Sequence, residues 1–319
     1  MAETFDIAKV EEDPFADVNN MTAFYDEIQK TYDILHYTAY FTDTIKLIIC
    51  ILSIVADFCI ITIILKNPKL KTITNIYILH YSIWRIVFMS FFPMFYGFLD
   101  LVDLADSIPM IVFWIFVEMN DLSIAVIFLF GLFLALDWFL NIHSPNFVKS
   151  SALFNKYAIY LIYVVAALVF TLVHFAGMII LDGLYIVVAL SLSVFNFLDY
   201  RNPKNENNLK NYGLVPSNII IFFWLPIFAF EHFLTWSYGH VTLYSILIFT
   251  IFLAEWFSLS MSLVLFITLI KMDRNIEIAM LNIFNRRNRR SRDDVEILEE
   301  AEIEDVPNSV ATESNSVYV

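Results

Sequence analysis

DFCIITIILKNPKLKTITNIYILHYSIWR, residues 57–85, is the stretch whose reading decides the fold. Two apolar runs flank a short basic turn that holds Lys66, Lys69 and Lys71. Asp57 lies nine residues before Lys66, and Arg85 lies thirteen after Thr72. If the runs are antiparallel membrane helices rising about 1.5 Å per residue, both charges sit at similar depth. An isolated charge at that depth costs roughly 3 kcal/mol. Opposite charges at matched depth therefore point to a buried ion pair.

The rest of the chain agrees with a membrane setting. Of 319 residues, 59% are hydrophobic and 16% charged, whereas soluble domains are about a quarter charged. The net charge of −14 is uneven: residues 1–43 carry −8, residues 293–319 carry −9, and the middle carries +3. Acidic tails of this kind are solvated, and no nucleic-acid partner is expected. Cys50 and Cys59, nine residues apart in one apolar run, are the two cysteines and do not suit a disulfide. The start shows no basic segment before a short apolar run. The first span is therefore expected to serve as its own insertion signal.

Spans of about 20 apolar residues are expected near 44–65, 73–99, 108–140, 157–180, 182–199, 218–236 and 241–271. Residues 157–198 form one run of 42, interrupted at Leu181-Asp182-Gly183, which has turn chemistry. That run reads as a tight hairpin; read as one span, it would reduce the count to six. In the seven-span reading one side collects Lys66, Lys69, Lys71, Lys149, Lys156, Arg201, Lys204, Lys210, Lys271, Arg274 and the Arg286–Arg292 cluster. The opposite loops hold Asp100, Asp103, Asp106 and Asp182, with no Lys or Arg. Positive-inside bias then sets the N-terminus outside and the C-terminus inside. The sequon Asn20-Met21-Thr22 falls on the outer side, where Asn20 is a glycosylation candidate.

The expected organisation is an all-α, seven-transmembrane helix bundle over 44–272, after an acidic extracellular segment, 1–43. A juxtamembrane amphipathic helix, 273–285, follows, with Ile276, Met280, Ile283 and Phe284 on one face. The tail, 286–319, is basic and then acidic. Its basic part suits anionic inner-leaflet lipid, and Val317-Tyr318-Val319 suits a domain that captures C-terminal carboxylates.

Lys66-Asn67-Pro68-Lys69-Leu70-Lys71-Thr72-Ile73-Thr74-Asn75 resembles the first inner loop of rhodopsin-like (class A) G protein-coupled receptors, K-N-P-x-L-R-T-x-T-N. Asp137-Trp138-Phe139, followed by Ile142 and Pro145, looks like the family's D-R-Y-x-x-I-x-x-P at the inner end of span three. Trp224-Leu225-Pro226 is similar to the W-x-P of span six. The resemblance spans the whole membrane body, and its losses match the style of the nematode serpentine chemoreceptor families. It implies a plasma-membrane receptor that senses an extracellular ligand and signals by helix rearrangement to a heterotrimeric G protein.

Carried over residue by residue, the resemblance puts Asp57 at the family's first-span Asn and Arg85 at the second-span Asp that helps hold sodium. Ile127 takes the place of the third-span Ser of that site. It implies that the Arg85 guanidinium replaces the ion, with Asp57, or Glu255 in span seven, as counter-charge. Such a pair serves either to fix helix packing or as a switch. At the inner face Asp137, Trp138 and Phe139 are the transducer candidates, with Lys210 or nearby loop cations as partners of Asp137. Trp138 stands where the family has the Arg that meets the G protein, and an indole lacks that five-donor fork. No N-P-x-x-Y occurs; Ser262–Phe266 occupy its place. The fourth-span Trp, the fifth-span Pro and the outer-loop disulfide are missing as well.

The family's ligand cavity lies in the outer halves of spans three, six and seven. Here those halves offer Glu118, Asn120, Asp121, Trp224, Glu231 and His232. Asn120 falls where amine receptors carry an anchoring Asp, and Asp121 is one position along. Intramembrane acids are functional candidates, and several acids with little base favour a cationic or hydrogen-bonding ligand. Glu118, Glu231 and His232 read equally as residues that reach interfacial water. No catalytic constellation, Gly-rich phosphate loop or metal-ligand spacing is visible, so neither an enzyme nor a cofactor is expected. The contrasting readings are a non-signalling scaffold or chaperone that uses its acidic tail, and a transporter built on Asp57, Arg85 and Glu255. Six glycines and no repeat speak against the transporter.

Overall fold

A computed structural model describes residues 16–281 apart from 103, 105–106, 145, 147–156, 202–211 and 238–239. Among these residues every element is helical, and seven helices are long and apolar enough to cross a membrane. In chain order they are α1 (Ala16–Lys66), α2 (Ile73–Met89) with α3 (Gly97–Leu101), α4 (Met110–His143), α5 (Ala158–Ala176) and α6 (Ile179–Arg201). The sixth span is α7 (Leu214–Phe222) with α8 (Leu225–Trp236), and the seventh is α9 (Val241–Leu259) with α10 (Met261–Met272). The seven-helix membrane bundle expected from the sequence is the fold that forms. Its basic end carries Lys66, Lys69 and Lys71, and its acidic end carries Asp100 and Asp182.

The basic turn behaves as its residues dictate. Pro68 opens a short 3-10 turn, Pro68–Leu70, and the Thr72 side chain caps α2 by accepting from the Asn75 N–H at 3.3 Å. Asn75 donates back to the Leu70 carbonyl at 2.9 Å, which locks the turn. Span two widens into a π-helical segment, Ser90–Tyr96, around Pro93, whose missing N–H leaves a carbonyl without its helical donor.

Span three is central. In its most apolar window 72% of residues are buried, against 22% in spans four and five. It is enclosed along its middle, while Met110, Ile111, Trp114 and Ile115 near its start are exposed. Ala125, Val126, Ile127, Phe130 and Leu134 are nearly inaccessible. The outward faces of α5 and α6 instead show Val164, Leu168, Phe175, Val187, Leu190 and Phe197, as a lipid-facing surface requires.

The structure corrects one boundary and adds detail to others. The break between spans four and five is at Gly177, not at Leu181-Asp182-Gly183. Gly177 takes φ 78° and ψ −170°, a region essentially reserved for glycine. Asp182 instead sits in the first turn of α6, where an acid suits the helix dipole. The span expected near 44–65 is Tyr40–Lys66, the apolar part of a helix that runs unbroken from Ala16 and includes Asn20. Spans six and seven are each broken, at Phe223-Trp224 and at Ser260.

After α10, residues 274–281 form a further helix that buries Ile276 and Ala279, so its described part has the expected amphipathic face. Ile283, Phe284, the Arg286–Arg292 cluster and Val317–Val319 lie outside the described residues.

Candidate functional site

Asp57 and Arg85 are both fully buried, at neighbouring positions in the core. They do not form the expected salt bridge: no nitrogen–oxygen approach within 4.0 Å joins them. The Asp57 carboxylate accepts from the Ser262 hydroxyl at 2.7 Å. Arg85 Nη2 donates to the Ser258 carbonyl at 2.8 Å. Glu255 is not a partner of Arg85 either. It pairs with Lys46 at 3.1 Å, each side chain about a quarter exposed. The matched depth was right, and side-chain direction around each helix axis redirected the partners.

The bond from Arg85 to Ser258 belongs to a polar seam at the two broken helices. A break in span seven leaves carbonyls of α9 without a helical donor, and in hydrocarbon such groups need another partner. Arg85 satisfies the Ser258 carbonyl, and the Ser53 hydroxyl satisfies the Leu259 carbonyl at 2.7 Å. In span six the helix breaks at Phe223-Trp224, and the Phe223 carbonyl accepts from the Ser258 hydroxyl at 2.6 Å. Ser258 thus ties the two breaks together, and Arg85 ties both to span two.

Above this seam a cavity of about 230 Å³ reaches from Arg85, Trp224 and Ser258 to Met178 and Asp182 at the acidic end. Phe88, Ile124, Phe128, Ile227 and Phe228 give it apolar walls. Arg85 lies under the rings of Phe88 and Trp224, 4.9 and 5.7 Å from their centroids. Its Nε and Nη1, and the Trp224 Nε1, find no acceptor among the described residues.

Of the residues expected to bind ligand, Asn120, Trp224 and Glu231 line the cavity, and Asp121, Glu118 and His232 do not. Asp121 is buried beside Asn120, whose amide reaches it at 3.4 Å. Glu118 turns to His174 at 3.1 Å, and His232 lies 3.7 Å from Asp182. Arg85 and Glu255, expected to serve only as an ion pair, are cavity residues. Lys46, Asp182, Tyr185 and Ser258 were not foreseen. Lys46 carried a signal, because a lone lysine in the first apolar run needs an acid at similar depth.

At the basic end Asp137 accepts from Thr74 Oγ1 at 2.9 Å and from the Asn141 amide at 3.1 Å. These are its partners among the described residues in place of the expected loop cations; Lys210 lies outside them. Trp138 is buried against the connection before α7, where a Cβ on Gly213 would stand 2.8 Å from the Trp138 Cβ. Phe139 stacks on Phe195 of α6, centroids 4.9 Å apart. Tyr212 donates to Asn75 Oδ1 at 2.8 Å. Burial, and then the Asp273 charge, push its phenol above the ordinary range. Spans two, three, five and six are therefore joined at this end by hydrogen bonds and stacked rings. Compared with protein-family models the chain matches none, and a search of curated proteins finds no match.

Proposed function

We propose that the chain is a rhodopsin-like receptor of the plasma membrane, with its acidic end outside and its ligand in the cavity above Arg85 and Trp224. One observation carries this reading: the cavity floor is made of the two helix breaks and the side chains that tie them. A molecule lying against Trp224 and Ser258 bears directly on the angles between α7 and α8 and between α9 and α10. Gly213, in the connection before α7, is packed against Leu134 and Trp138 of α4. A change of angle at Trp224 therefore moves the basic end of span six across the face that holds Asp137, Trp138 and Phe139. Breaks and element ends of this kind are where hinge motion is absorbed.

The test is a G protein recruitment and second-messenger assay on cells bearing the protein at their surface, over a ligand panel. Wild type, Trp138→Arg and the cavity-filling Phe228→Trp are compared. A wild-type response that Phe228→Trp abolishes supports the reading. A response only in Trp138→Arg rules out direct G protein coupling and leaves the fold intact. Silence from wild type and Trp138→Arg alike, at full surface expression, favours the non-signalling scaffold.

A further inference from the structure

Arg85 is a buried cation that the protein satisfies only in part. Its side chain is 0% exposed, one nitrogen bonds the Ser258 carbonyl, and Nε and Nη1 have no acceptor among the described residues. A guanidinium in that state is costly, since buried charges require both pairing and filled hydrogen-bond positions. Neither nearby carboxylate meets the need: Asp57 accepts from Ser262 with no oxygen within 4.0 Å of the guanidinium, and Glu255 is turned to Lys46. The unused donors belong to a residue that lines the cavity, and the Trp224 N–H beside it is also without an acceptor. Around them the walls are aromatic and aliphatic. Of the three acids in the lining, Glu255 is paired with Lys46, and Asp182 and Glu231 belong to the other end of the cavity, with Glu231 two helical turns beyond Trp224.

We propose that the cavity takes an amphipathic carboxylate, its acidic head on the free face of Arg85 and its apolar body among Phe88, Phe128 and Phe228. This rests on the cavity being a ligand site, and it specifies the ligand's chemistry. A carboxylate brings a charged acceptor to an unpartnered guanidinium nitrogen, a charge-assisted contact that a neutral amide or a cationic ammonium does not make. The acids near the acidic end disfavour a second negative group there, so the ligand carries one anionic head and a neutral or cationic far end. The bond from Ser258 to Arg85 then links occupancy of the head site to both helix breaks.

The experiment uses the purified full chain in lipid nanodiscs and three nearly isosteric probes: 3-phenylpropanoate, 3-phenylpropanamide and 3-phenylpropylamine. Binding is read from the melting temperature and from tryptophan fluorescence. The expected result is carboxylate binding about tenfold tighter than the amide or the amine, the worth of one charge-assisted contact. It is weakened in Arg85→Lys and lost in Phe228→Trp. Equal or tighter binding of the amine or amide, still lost in Phe228→Trp, overturns the anionic head and leaves the cavity as a ligand site. Indifference of all three probes to the Phe228→Trp filling overturns both. The probe series on wild type decides the question even where a variant does not fold.

Discussion

At Asp57 one carboxylate oxygen accepts from Ser262, while Ser82, which stands close by, misses hydrogen-bond geometry. The charge is thus held by a hydroxyl and by Coulomb attraction to Arg85 across a gap, not by a contact pair. The distinction is measurable. Breaking a buried, contacting ion pair costs about 3–5 kcal/mol, because the surviving charge is left uncompensated. Replacing an acceptor that keeps its one donor costs about 1 kcal/mol. Asp57→Asn retains an oxygen for Ser262, so it is expected to lower stability by about 1 kcal/mol, read from thermal melting of the purified protein in detergent. A loss several times larger would restore the contact pair and remove the free face on Arg85.

Among elements, the approach of the connection before α7 to α4 sets how span six can move. A Cβ on Gly213 would stand 2.7 Å from the Leu134 carbonyl oxygen, which is backbone and cannot swing aside. A Cβ on Gly131 would stand 2.9 Å from Ile221 Cδ1, the far end of a side chain that can turn. Gly213→Ala is therefore expected to cost about 1–3 kcal/mol, the range for overpacking, and Gly131→Ala clearly less. Equal melting temperatures for the two variants would refute this close contact. The contact also shows what a sequence can carry. The spans were legible because apolar length in a bilayer sets them, whereas the breaks in spans six and seven were not foreseen, although Pro226 removes a donor. The hairpin break was misplaced because Asp182-Gly183 has turn chemistry, yet Gly177 holds the required φ and Asp182 suits a first helical turn. Three of the six residues expected at a pocket, Asn120, Trp224 and Glu231, line the cavity, since depth follows from counting. The pairing of Lys46 with Glu255 and the freedom of Arg85 depend on rotation about helix axes, which depth alone does not specify.

For the whole molecule, the unbroken α1 bears on orientation. Its apolar part is Tyr40–Lys66, and the helix extends from Tyr40 back to Ala16. Asn20 precedes Tyr40 by twenty residues, about 30 Å of helix at 1.5 Å per residue. The sequon therefore projects well beyond the hydrocarbon, in whichever compartment the acidic end faces. The basic end holds Lys66, Lys69, Lys71, Arg201 and Lys271, and positive-inside bias predicts that end in the cytoplasm and Asn20 on the lumenal and then extracellular side. Expressed in animal cells, the chain is expected to carry a glycan on Asn20. A glycosidase would shift its gel mobility, and Thr22→Ala, which removes the sequon without touching a charge, would abolish that shift. An epitope at the C-terminus would then be detected only after permeabilisation. A C-terminal epitope reached on intact cells would reverse the bundle, bring the cavity to the cytoplasmic side, and end the reading of the chain as a sensor of extracellular ligand.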